Sequence, residues 1–181
     1  QETGARFAWG ETVPKTYYSE YNYKHMKAFK DQNKWWYSKY TTTDEDPYVD
    51  GLTRLSAEDD AARANWGGKW RMPTKEEYKE LYEKCEWTLD SVYGVKGYRI
   101  TSKVPGYTDK SIFLPNNSNT FGGLFEESHR GIYMTSDKMS SEKGYMWRGC
   151  VVLEFDEHEF GTRDEVELDF GENATSLLGS R

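Results

Sequence analysis

The sequence predicts an α+β fold in one domain, with helices preceding an antiparallel sheet. Three observations lead there. Helical punctuation and an i, i+3, i+4, i+7 apolar stripe fall between residues 56 and 86. From residue 87 onward the pattern changes to short runs of period two. The length, 181 residues, suits one domain able to bury a core. The expected organisation is a loop-rich part over 1–55, two helices over 56–86, and sheet and loops over 87–181.

Residues 1–55 show little periodicity. Phe7-Ala8-Trp9-Gly10 is a short apolar segment, Tyr17 to Tyr23 alternates loosely, and Trp35-Trp36-Tyr37 is a dense aromatic cluster. Ser56-Ala57-Glu58-Asp59 opens the first helix, with Ser56 as N-cap and acids near the positive helix end. Ala61, Ala62 and Ala64 give a small face, and Gly67 is the stop. Between the helices lies Asn65-Trp66-Gly67-Gly68-Lys69-Trp70-Arg71-Met72-Pro73-Thr74, in which Trp70-Arg71-Met72 reads as buried. Thr74 and Glu77 form a capping box, in which hydroxyl and carboxylate each satisfy an orphan backbone donor. The second helix runs from about Lys75 to Glu86, with Tyr78, Leu81, Tyr82 and Cys85 facing the core. Strands follow at 97–102, 111–115, 131–136, 145–155 and 165–170, and 116–123 reads as a polar loop.

Composition removes several function classes. The net charge is -7, with no basic block. Phosphate contacts need clustered Lys and Arg, so nucleic acid is a poor partner. The Lys-rich stretch from Lys24 to Lys39 reads as solvated surface. No apolar run is long enough to span a membrane. Aromatics make up 16% of the chain, with 14 Tyr and 7 Trp, and mean hydropathy is -0.95. That combination describes short elements pinned by rings and joined by polar loops. Cys85 and Cys150 read as small buried apolar residues, with a pair between them as the alternative.

Several segments also recur together, in this order, in a known family. They are Phe7-Ala8-Trp9-Gly10-Glu11-Thr12, Asp59-Asp60-Ala61-Ala62, the run from Asn65 to Thr74, Ile112-Phe113-Leu114-Pro115 and Gly131-Ile132-Tyr133-Met134-Thr135-Ser136. On these residues the chain resembles the Fibrobacter succinogenes major paralogous domain, over most of 7–170. That domain occurs in surface and secreted lipoproteins of gut Bacteroidetes and their relatives. It is grouped with the C-type lectin fold, beside formylglycine-generating enzymes and the variable proteins of diversity-generating retroelements. The resemblance implies two helices against a small twisted antiparallel sheet with long irregular loops. It also implies an extracellular or bacterial cell-surface location, with room for a lipid anchor upstream of Gln1. One departure stands out. Family members end in a strand reading roughly Gly-x-Ser-Val-Arg-Pro-Val, whereas this chain ends Ser176-Leu177-Leu178-Gly179-Ser180-Arg181.

Candidate chemistry is sparse. Lectin-type calcium sites need a Glu-Pro-Asn or Gln-Pro-Asp loop and a Trp-Asn-Asp strand, because calcium takes six to eight oxygen ligands. Leu114-Pro115-Asn116 lacks the acid, and Trp147-Arg148-Gly149 lacks both oxygen donors. Asp44, Asp46 and Asp50 read as a solvated turn, and Asp156-Glu157-His158-Glu159 as a hairpin turn. No nucleophile motif accompanies His25, His129 or His158. No cofactor or metal is therefore expected. The leading expectation is a non-enzymatic module binding protein or glycan. By analogy with the retroelement variable proteins, its site is Tyr133, Asp137, Tyr145, Trp147, Arg148, His158 and Arg163, among which Tyr, Trp and Arg are types enriched at interface hot spots. The alternatives are a structural or adhesive component of a surface assembly, and a degenerate formylglycine-generating-enzyme-like domain.

Overall fold

The computed structural model describes Ala5 and residues 7–17, 22–28, 35–42, 48–116, 131–138, 150–155 and 160–163. Within them the chain forms two α-helices, a 3-10 turn at Ala57–Asp59 and eight strands in three antiparallel sheets. The α+β class holds. β1 (Met26–Ala28) and β2 (Trp35–Tyr37) make a short ribbon ahead of the helices, where the sequence suggested only loops. α1 spans Ala61–Trp66 and α2 spans Lys75–Lys84. β3 (Cys85–Val92), β4 (Val95–Ser102) and β5 (Ser111–Pro115) form the second sheet. β6 (Gly131–Lys138), β7 (Cys150–Phe155) and β8 (Phe160–Arg163) form the third.

The helices differ from expectation in instructive ways. Residues 56–66 are not one helix, because Asp59 is drawn elsewhere. Its carboxylate accepts from Lys24 Nζ, from Lys39 Nζ at 2.7 Å and from the Tyr40 hydroxyl at 2.6 Å. Asp60 then leaves helical geometry and caps α1 itself, accepting from Arg63 N at 3.0 Å. The capping box of α2 is present as read. α2 stops at Lys84, however, and Cys85 opens β3 opposite Ser102. Tyr82 accordingly stays exposed, while Tyr78, Leu81 and Cys85 pack on the core.

Sheet geometry explains two local choices. Tyr93 and Gly94 both have positive φ, the two-residue turn whose twist matches the flanking β3 and β4. Gly97 sits opposite Pro115, and a Cβ there would lie 2.3 Å from the Leu114 carbonyl oxygen. Only glycine allows that approach. The expected strands at 97–102, 111–115 and 131–136 are present as parts of β4, β5 and β6. Residues 145–149 of the next one, the 165–170 strand and most of the 116–123 loop lie outside the described residues.

Two apolar clusters hold the layers together. Tyr98 and Ile100 of β4 meet Tyr133 of β6 and Leu153 of β7, with Tyr78 and Leu81 of α2 packed against them. Trp9, Tyr40, Met134 and Cys150 form the other, joined by Leu55 and Met72. Tyr133 and Met134 are neighbours on β6 and serve opposite clusters, as period two requires. Cys85 and Cys150 are both free thiols.

A buried polar hub ties the N-terminal part to the helices. Asp59 is its centre, and Lys24 and Lys39 turn inward to reach it, unlike the solvated surface expected of that stretch. Burial raises the Asp59 carboxyl, but hydrogen bonds from Lys24, Lys39 and Tyr40 outweigh it and hold the group well below the carboxylate range. His25 is buried beside it, with Nε2 at 2.9 Å from the Gly10 carbonyl. Burial pushes the His25 pKa down, so the ring is neutral at pH 7. Asp50 likewise serves the backbone, accepting from the amides of Tyr40, Thr41 and Leu52. Asp44 and Asp46 lie outside the described residues.

Candidate functional site

No residue of α1 is fully buried, and its last residue, Trp66, stays 45% exposed. Gly67 ends the helix at φ +66, with its amide bonded to the Arg63 carbonyl. Gly68 follows at φ +59. Two successive residues in the left-handed region turn the chain back sharply, a path open to glycine at little steric cost. Trp70 then donates its amide to the Gly67 carbonyl at 3.2 Å. The turn brings the Trp66 and Trp70 rings edge to face, with centroids 5.2 Å apart. Trp70 is 61% exposed, so the motif read as buried places one of its largest side chains in water.

These rings stand at the rim of a cavity of about 270 Å3. Its walls include Phe7, Met72, Pro73 and Met134, with Ala61 and Ala62 of α1 on one side. The small alanine face leaves the space open instead of admitting close packing. Asn65 and Arg71 are its charged or amide-bearing walls. Arg71 is held by Glu77 in a two-pronged pair, with Nη1 to Oε2 at 2.7 Å and Nη2 to Oε1 at 2.5 Å. That fork lowers the Glu77 pKa to about 2. It also joins the aromatic turn to the capping box of α2, because Glu77 Oε2 accepts from Thr74 N.

A second cleft, of about 360 Å3, adjoins the first and shares Arg71 and Met72 with it. Arg54, Arg63, Asp60 and Ser136 also line it. Arg54 bonds Asp137 at 2.6 Å through Nε and Glu76 at 3.3 Å through Nη2. Asp60 is buried, and its oxygens accept from the amides of Arg63 and Met72.

The residues expected to form the site fall differently. Tyr133 does not stand on an exposed surface. Its ring is buried, it lines the 270 Å3 cavity, and its hydroxyl donates to the Pro115 carbonyl at 2.6 Å. Asp137 is a structural brace, accepting from Arg54 and from the Lys75 amide at 2.7 Å at the start of α2. Arg163 ends β8. Tyr145, Trp147, Arg148 and His158 lie outside the described residues. The structure therefore brings together Trp66, Trp70 and Arg71, which sequence reasoning assigned to the frame. The available signal was the pair of indoles flanking two glycines.

The reactive side chains are quiet. Burial raises the Cys150 thiol to about 12 and raises that of Cys85 as well, so both are protonated at neutral pH. No group of three or more His, Cys, Asp or Glu suited to a metal ion occurs among the described residues. No helix among them is long and apolar enough to cross a membrane. No protein-family model matches this chain, and no curated protein or solved structure shows significant similarity to it.

Proposed function

We propose that this protein is a non-enzymatic binding module of C-type-lectin-like fold, secreted or displayed at the bacterial surface, with a protein or glycan ligand. The observation that carries this reading is the Trp66–Trp70 pair, exposed at the rim of an apolar cavity. Exposed aromatic clusters beside concave apolar surface mark interaction sites, because folding alone gains nothing from leaving indoles in water. The lectin-like reading is supported by the order of the sequence motifs, together with two helices and small antiparallel sheets. The protonated thiols and the neutral, hydrogen-bonded His25 support a role without nucleophilic chemistry.

A glycan array and a displayed peptide library test the reading. The expected result is a ligand whose binding is lost in Trp70→Ala while thermal melting is retained. Loss in Tyr145→Ala or Trp147→Ala alone would move the site to the C-terminal strands. No ligand on either platform would overturn the reading.

A further inference from the structure

We propose that His25 is an acid-sensitive latch on the cavity beside Trp66 and Trp70. Weak acid releases the segment Phe7–Glu11, which forms one wall, and opens that space to water. The consequence for ligand binding rests on the binding-module reading above, whereas the latch itself does not.

The first half of the argument is how the wall is held. Phe7 and Ala8 line the cavity, and Trp9 packs in one cluster with Met134, which lines it too. The Trp9 indole donates to the Thr135 carbonyl at 2.9 Å. Three further ties come from successive residues. The Tyr23 hydroxyl donates to the Trp9 carbonyl at 2.9 Å, the Lys24 amide to Glu11 Oε1 at 2.6 Å, and His25 Nε2 to the Gly10 carbonyl at 2.9 Å. The imidazole lies so close to the wall that a Cβ on Gly10 would stand 3.1 Å from His25 Cδ2. A disturbance at His25 therefore reaches the wall directly.

The second half is charge. A carbonyl only accepts, so Nε2 carries the proton of the neutral ring and a second proton goes to Nδ1. His25 is 4% exposed. The phenols of Tyr23 and Tyr40 meet it edge-on, with centroids at 5.7 and 5.4 Å. Asp59 Oδ2 lies 3.5 Å from Nε2, and Lys24 and Lys39 both pair with that carboxylate. Glu58 takes the outer side of Lys39, and Glu11 is paired with Lys15. These acids and lysines already balance, so an imidazolium would be an uncompensated buried cation. Burial accordingly pushes the His25 pKa down, against the upward pull of the Gly10 carbonyl and Asp59, and both lysines add to the fall. With the wall released, the ring meets water and takes a proton near its ordinary pKa of about 6.5. Acid therefore favours the open form, by up to about tenfold per pH unit below that value.

The test follows the intact chain between about pH 7 and about pH 5.5. It uses amide exchange together with hydrogen peroxide oxidation of Met134, which is 4% exposed. The Glu11 amide, bonded to the Ala8 carbonyl, should lose protection about fourfold or more in acid, and Met134 sulfoxide should form correspondingly faster. The amides of Tyr98 and Ile100 in β4 should keep their protection. His25→Gln retains a donor for the Gly10 carbonyl and does not titrate, so both readouts should become flat. Followed by NMR in the wild type, the imidazole should titrate below about 6.5. Titration at or above that value overturns the proposal even where the variant fails to fold. Unchanged Glu11 protection, a parallel loss in β4, or a pH dependence that survives in His25→Gln also overturns it, and leaves the binding-module reading standing. Glycan and peptide screens that return no ligand overturn that reading and leave the latch standing.

Discussion

Residues 56–73 hold two neighbouring regions built on opposite principles. Around Asp59 the chain buries charge and polar atoms, and nearly every one has a partner. Around Trp66 and Trp70 it exposes large apolar surface. Polar groups inside and rings outside both reverse the usual preference. The first reversal is complete within the chain, so it serves the fold. The second leaves indole surface in water, and it is the region to which we assign ligand binding. The contrast separates what a substitution should disturb: the polar network holds the fold, and the exposed rings form the proposed binding surface.

Breaking the hub should produce the largest effect on stability. Asp59→Ala removes the shared acceptor of Lys24, Lys39 and Tyr40, and should cost about 3 kcal/mol. That is the lower end for losing one partner of a buried pair, because both lysines keep some solvent. Urea denaturation would show it as a reduced midpoint at unchanged slope.

Acid should act on the same region. The folded-state pKa of His25 lies below its ordinary value, so its contribution is complete above pH ~6.5 and declines as pH falls through the folded value. Asp59 is depressed as well, so its contribution is complete above pH ~4 and is lost in stronger acid. Melting temperature measured against pH should therefore fall in two stages. His25→Gln should remove the first stage and leave the second. Trp70→Ala should change neither.

The turn sits between these extremes. Gly68→Ala has open space around its Cβ, yet the positive φ should cost about 1 kcal/mol. Because the same turn sets the ring pair, tryptophan fluorescence should shift with it. The smallest effect on stability belongs to Trp70→Ala, about 0.5 kcal/mol or less for so exposed a side chain. Its effect on ligand affinity should instead be tenfold or more, about 1.4 kcal/mol. A large melting shift with unchanged affinity would reverse the assignment of the two regions.

Local chemistry was legible in the sequence, and long-range partners were not. Thr74 with Glu77 announced α2, and Gly67 announced the end of α1, because caps use residues within one turn. The break at Asp60 was invisible, since it depends on Lys24 and Lys39 reaching Asp59 from far along the chain. The end of α2 was misread by two residues, because Cys85 and Glu86 carry no glycine or proline to mark the change to β3. The candidate site was least legible. An apolar pattern is the same whether a ring is buried or exposed, and the Trp-Gly-Gly-x-Trp motif suggested packing. Only the geometry after Gly67 shows that Trp66 and Trp70 meet edge to face with much of their surface exposed. Conversely, Tyr133 has the residue type of a binding surface, but β6 turns it toward Tyr98 and Leu153.

Cys150 gives this architecture a built-in clock. Its side chain is wholly enclosed, with the thiol raised to about 12, so an alkylating reagent must wait for the structure to open. It also packs in the same cluster as Met134 and Met72, which form walls of the 270 Å3 cavity. Anything that settles in that cavity favours the closed form by mass action. The rate at which this sulfur is labelled therefore reports occupancy of the groove without any tag, dye or knowledge of what the ligand is.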